Sequence, residues 1–279
     1  MGRRLSRRSN KKRLKITAFR FVSSAAIDAG QKLSRKLVFV RVFFTQIFGL
    51  FRLAFGPNFC NNNAYGSRME KPRLRGIVHL VMSPISLVAG LVLITLANEL
   101  RGRITLGIFT LTAVTLFTCS ALYHRIAWTP KNKAIWRRID HSNIAILIAG
   151  TYTPFAVYLL EPKQTKILLI VAWGGALLSS LLRIFWLSAP RWLYVGGYIA
   201  LGWAAVIYMP EFLHKGGVAI FILIVAGGVL YSAGGIIYAI KKPNISINWF
   251  GFHEMFHALT AAAFICHFVA GALTVFVKH

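Results

Sequence analysis

Residues 77–97 read Ile-Val-His-Leu-Val-Met-Ser-Pro-Ile-Ser-Leu-Val-Ala-Gly-Leu-Val-Leu-Ile-Thr-Leu-Ala, an apolar run without a charged side chain. About 20 residues of α-helix rise about 30 Å, the hydrocarbon thickness of a bilayer, so the run predicts a transmembrane helix. Six further stretches of similar length and character follow at roughly 104–124, 141–160, 167–187, 192–210, 217–240 and 255–277. None alternates in sustained fashion with period two. In lipid every backbone amide must be satisfied within its own helix or in a closed barrel, so these stretches predict helices. The whole 279-residue chain agrees: 56% of residues are hydrophobic and 14% charged, too few polar side chains to clothe a water-soluble globule. The predicted fold is an all-α integral membrane protein, a seven-transmembrane helix bundle.

Loop charges give the orientation, because Lys and Arg concentrate in cytoplasmic connections. One side collects thirteen basic residues: Arg68, Lys71, Arg73, Arg75, Arg125, Lys131, Lys133, Arg137, Arg138, Arg183, Arg191, Lys241 and Lys242. The other has six: Arg101, Arg103, Lys163, Lys166, Lys215 and Lys278. The N-terminus is therefore expected in the cytoplasm and the C-terminus outside.

Residues 1–68 are a different kind of sequence, with 15 of the chain's 33 basic residues and one acid, Asp28. They predict a basic extension, disordered or lying in the interface and attracted to anionic lipid, ahead of a membrane domain at 69–279. Residues 37–55, interrupted by Arg41 and Arg52, suit an amphipathic interfacial helix better than an eighth span. A start at Met69 would make the earlier residues an upstream extension. The net charge of +26 suggests nucleic acid, but the charges adjoin a membrane domain and no nucleic-acid module is recognisable, so no specific nucleic-acid partner is expected. Cys60, Cys119 and Cys266 lack framework spacing and read as packing residues. The pairs Gly174-Gly175, Gly196-Gly197, Gly227-Gly228 and Gly234-Gly235 read as close helix contacts.

Against this apolar background stand four polar side chains at matching helix ends: His124 closing the second stretch, Asp140 opening the third, and His253 and His257 opening the seventh. The loop-charge topology brings all four to one cytoplasmic level. In His253-Glu254-Met255-Phe256-His257 the histidines are four apart and share a helix face, so both imidazoles can bind one zinc ion (Zn2+). His124 is the third candidate ligand, leaving a fourth position open for water, with Asp140 completing the shell or acting as base. Each residue alone has an ordinary reading: a helix-end histidine packs or faces the interface, and Asp140 can pair with Arg137 and Arg138. Four converging together favour a metal, since ionisable groups inside a membrane are costly and usually functional.

Three ordered motifs also carry a resemblance over residues 76–279: Ser120-Ala-Leu-Tyr-His124; the run Asp140-His-Ser-Asn-Ile-Ala-Ile-Leu-Ile-Ala-Gly-Thr-Tyr-Thr-Pro154; and His253-x-x-x-His257 followed by His267. Together they resemble the haemolysin III family, bacterial relatives of the progestin and adipoQ receptors and, more distantly, of the alkaline ceramidases. The resemblance implies a zinc site near the cytoplasmic side of a seven-helix bundle in the bacterial inner (plasma) membrane. It implies His124, His253 and His257 as ligands, Asp140 as the carboxylate holding a water, and Ser120 as a supporting or substrate-polarising hydroxyl. His79 lies in the first helix, but Pro72 and Arg75 occupy positions where many bacterial members carry Glu and Asn, and no role is assigned to it. His267, about 15 Å further along its helix than His257, is expected to bond a neighbouring helix. His141, about 100° round from Asp140, reads as interfacial. Pro154 is expected to kink its helix, with Thr151 and Thr153 available to satisfy freed backbone groups.

The function expected is zinc-dependent hydrolysis of a lipid amide or ester, or regulation of lipid homeostasis, with membrane lipids as partners. A zincin-like protease with Glu254 as base is the rival enzyme; no Asp-containing third-ligand motif of the intramembrane-protease type accompanies it. The non-enzymatic alternatives are a pore-forming cytolysin or channel, and a zinc-stabilised receptor or sensor. Polar groups gathered at one level above apolar outer halves argue against a conducting monomer.

Overall fold

The computed structural model describes residues 72–246 and 248–276. The expectations for residues 1–68, and Cys60 with them, lie outside that range. Among the described residues seven helices follow in chain order: α1 (Ile77–Leu96), α2 (Leu100–Arg125), α3 (Pro130–Leu159), α4 (Pro162–Phe185), α5 (Arg191–Gly202), α6 (Met209–Ile240) and α7 (Phe252–Phe276). A 3-10 segment, Ala204–Tyr208, joins α5 to α6.

Local chemistry sets the starts. Pro130 and Pro162 sit in the first turns of α3 and α4, where a missing N–H costs nothing. Thr129 caps α3 by accepting from the Asn132 N–H at 3.4 Å, and Glu161 with Gln164 forms a reciprocal capping box on α4. Helix α3 continues through Pro154 to Leu159, and the Thr151 and Thr153 hydroxyls donate to the Leu147 and Ala149 carbonyls at 2.8 and 3.1 Å.

Among the described residues six segments, where the sequence predicted seven stretches, are long and apolar enough to cross a membrane. The difference lies in Arg191–Ile240, one 50-residue segment that takes in the expected fifth and sixth. Its backbone breaks at Gly217, with φ 75° and ψ 172°, a conformation few side chains tolerate. Trp203 donates to Ser232 at 2.9 Å and Arg191 to the Tyr238 carbonyl at 3.4 Å, so α5 and the second part of α6 lie antiparallel.

The other neighbours pair likewise. Ser83 meets Thr118 at 2.6 Å and Gly90 abuts Thr110, running α1 against α2. The Ser180 and Thr165 hydroxyls donate to the Ser142 and Ala156 carbonyls at 3.4 and 2.7 Å, running α4 against α3. His267 bonds the Ile224 carbonyl at 3.0 Å, the expected helix-to-helix bond, and Gly234 abuts Leu259, running α7 against α6. Glycine does what was expected of it at only some positions: a Cβ on Gly227 would run into the His267 ring, and one on Gly175 would come within 2.6 Å of Leu201, whereas Gly174, Gly196 and Gly197 face open space. Cys119 and Cys266 are free thiols.

The surface is that of a membrane protein. Leu111, Ile170, Leu177, Phe185 and Ile207 are exposed, while Ser142, Asn143, Thr153 and Thr260 are buried. Such an outward apolar face is unfavourable in water and costs nothing in hydrocarbon. The interior holds an apolar core drawn mainly from α3, α4, α5 and α6, with Ala270 of α7, and a smaller one of α1, α2 and α7 residues with Leu147.

Candidate metal centre

Two helix ends build the centre. His124 is the penultimate residue of α2, and His253 and His257 lie in the first two turns of α7. The antiparallel course of α2 and α7 brings them together: Phe109 and Phe117 of α2 both pack on Phe264 of α7, with ring centroids 5.5 and 5.2 Å apart. One donor nitrogen from each of His124, His253 and His257 lies within 4.8 Å of the others. The Nε2 atoms of His124 and His253 are 3.1 Å apart. Nitrogens bound tetrahedrally at about 2.0–2.1 Å from a zinc-sized ion are separated by about 3.4 Å, so the trio is spaced to hold one. His257 is buried and its Nδ1 has no hydrogen-bond partner among the described residues.

Gly76 makes the approach possible. It precedes α1 with φ 78°, and a Cβ there would stand 2.8 Å from the His124 Cβ. A side chain at this position is strained and would also press on the histidine.

Asp140 does not open α3. The helix starts ten residues earlier, at Pro130, because the polar turns Lys131–Arg138 extend it beyond the apolar stretch. Asp140 is buried with Ser120 and His141 at its carboxylate, and His141 Nδ1 stands 3.3 Å from its Oδ2. The expected alternative partner Arg138 instead donates to the Ile184 and Ala134 carbonyls. His141 is accordingly no interfacial residue. It is buried, with one nitrogen 3.3 Å from the Asp140 carboxylate and the other 3.4 Å from the Tyr238 hydroxyl. The 100° between adjacent helical positions did not separate them, because α3 is enclosed at this level and both side chains turn inward.

His79 was passed over in the sequence and belongs to the site. It is 2% exposed, and its ring stacks on that of His257 with centroids 3.8 Å apart and planes 5° from parallel. The available signal was its position three residues into the first apolar run. Glu254 points elsewhere: its carboxylate forms an ion pair with Arg75 and accepts from the Gly251 N–H at 2.9 Å. It is a first-turn cap for α7.

Below the histidines a cavity runs between α3, α5, α6 and α7. Asp140, His253 and His257 stand at one end, and Tyr152, Phe155, Phe212 and His267 line it deeper. From Asp140 to Phe155 the wall descends about 22 Å at 1.5 Å per residue. Its lining is overwhelmingly apolar, with a few convergent polar groups at the mouth, the character of a small-molecule site.

Comparison with known proteins agrees with this architecture. The sequence profile of the family described as Haemolysin-III related matches residues 67–268. The chain is 35% identical to the hemolysin-3 homolog of Bacillus subtilis over 164 residues, 58% of this chain and 75% of that one. It is 31% identical to hemolysin-3 of Bacillus cereus over 169 residues, 60% and 77% of the two chains. It is 25% identical to progestin and adipoQ receptor-like protein 1 of Caenorhabditis elegans over 189 residues, 61% of this chain and 43% of the relative.

Proposed function

This chain belongs to the haemolysin-III-related family, and on that premise we propose that it is a zinc-dependent hydrolase of membrane-lipid amides or esters, residing in the bacterial inner membrane with its N-terminus in the cytoplasm and its C-terminus outside. The Gly217 break and the antiparallel pairing across it support seven crossings, with Arg191–Ile240 passing twice.

The observation that carries the reading is a trio of imidazoles, two of which, His253 and His257, line the end of a long apolar cavity. His124, His253 and His257 would hold the ion, and zinc in such a setting supplies Lewis acidity and a nucleophile at neutral pH. The cavity accepts the lipid chain and excludes water from it, setting the amide or ester carbonyl level with the histidines. Asp140 accepts the proton of the attacking water and returns it to the leaving nitrogen or oxygen as the acyl bond breaks, releasing the fatty acid. His141 and Ser120 hold its carboxylate in the orientation that transfer needs, as a supporting shell does for a general base. His79 fixes the plane of the His257 ring.

The test is metal analysis followed by product analysis. Purified protein incubated with lipid extract is expected to release fatty acid in a chelator-sensitive manner. A zinc-stabilised sensor uses the same ligands, and the receptor names of the nematode relative and of the adiponectin receptor protein of Drosophila melanogaster favour it as the second reading. Bound lipid without product would select it.

A further inference from the structure

Beside the histidines lies a second cavity of opposite character. Five basic residues line it, Arg75, Lys133, Arg137, Arg183 and Arg191, and no Asp or Glu does among the described residues. Arg75 is already matched by Glu254. Arg183 is the informative residue. It is 3% exposed near the end of α4, its Nε and Nη1 are buried without a hydrogen-bond partner among the described residues, and its Cζ stands 4.2 Å from the centroid of the Tyr194 ring. A cation–π contact offsets only part of the cost of burying a guanidinium. Arg191, half-buried at the start of α5, reaches the same space with its Cζ 5.1 Å from the Tyr238 ring centroid.

Two arginine forks backed by Lys133 and Arg137 exceed what one carboxylate needs and suit a phosphate, whose oxygens match the fork geometry and can carry two charges. The location is equally specific. His141, Tyr194, Tyr238 and His253 line this cavity and also the apolar one, and His124 lines the basic one. A molecule occupying both would lie with its chain in the apolar cavity, its middle at the histidine trio and its head among the arginines.

We propose that the basic cavity binds the phosphate of a phosphorylated lipid, held by Arg183 and Arg191, so that the ligand of this site is an anionic phospholipid and not a neutral one. This rests on the lipid reading of the histidine site, and it concerns binding alone.

The experiment is calorimetric titration of the full chain in detergent with three probes: short-chain phosphatidic acid, diacylglycerol with the same chains, and inorganic phosphate. Phosphatidic acid is expected to bind at least tenfold more tightly than diacylglycerol. Arg183→Gln and Arg191→Gln should each remove most of that preference and leave diacylglycerol binding unchanged, Arg183→Lys should keep part of it, and Lys163→Gln, at the far end of α4, should keep all of it. The preference should persist in the wild type treated with chelator, where product formation is absent, which separates this assignment from the hydrolase reading. Equal affinity for the two lipids, or a preference untouched in Arg191→Gln, would overturn the site. Inorganic phosphate binding through these arginines as tightly as phosphatidic acid would overturn the assignment to a lipid headgroup.

Discussion

The imidazole of His79 lies flat on that of His257, 3.8 Å between centroids and 5° between planes. His79 comes from α1 and His257 from α7, so the stack ties the first helix to one of the three proposed metal ligands. Residues that orient a ligand commonly change metal affinity about 10- to 100-fold when removed. His79→Ala is therefore expected to weaken zinc binding by about tenfold, and His79→Phe, which keeps a ring in place, to recover most of it. Competition with a chromophoric chelator measures both.

Asp140 sits with Ser120 and His141 at its carboxylate and outside the cluster of ligand nitrogens. Asp140→Asn is expected to lower fatty acid release by at least about 100-fold, the typical contribution of a general base, while zinc content stays at the wild-type value. Retained turnover would remove Asp140 from the proposed chemistry.

The Glu254 carboxylate is occupied by Arg75 and the Gly251 N–H. Glu254→Gln should cost about 1–3 kcal/mol, the usual penalty for disturbing a buried charged hydrogen bond, and appear as a lowered Tm. Turnover per bound zinc should persist, whereas a zincin-like protease would lose it.

Gly76, at φ 78° and with its missing Cβ aimed at His124, leaves no room for a methyl group. Backbone strain of about 1–2 kcal/mol is expected for Gly76→Ala, and the displaced His124 should lower zinc content at a given free-zinc concentration.

Much of this site was legible in the sequence because intramembrane polar residues are conspicuous there. His124 at a helix end and the i, i+4 pair His253 and His257 stand out against apolar surroundings, and helical periodicity alone puts the pair on one face. What periodicity does not encode is how deeply α3 is enclosed. His141 was judged by its angle from Asp140, yet both groups are buried where helices surround α3. The start of α3 was misplaced for a related reason, since hydropathy marks where a helix enters lipid and the Thr129–Pro130 cap marks where the helix begins. Arg183 read as one more cytoplasmic charge, and only the folded chain shows it buried over Tyr194. The fifth and sixth stretches were separable by composition, but their junction depends on backbone angles at Gly217 that composition does not specify.

The central claim is that three histidines from α2 and α7 share one zinc ion. Its most direct test is the metal content of the purified full-length protein measured by mass spectrometry beside the His253→Ala variant, at matched folding judged by circular dichroism. The account predicts about one zinc per chain in the wild type and a large loss in the variant, as removing one of three protein ligands should bring. A wild-type protein without bound metal after purification in zinc-containing buffer, or a variant that keeps the full complement, would contradict it.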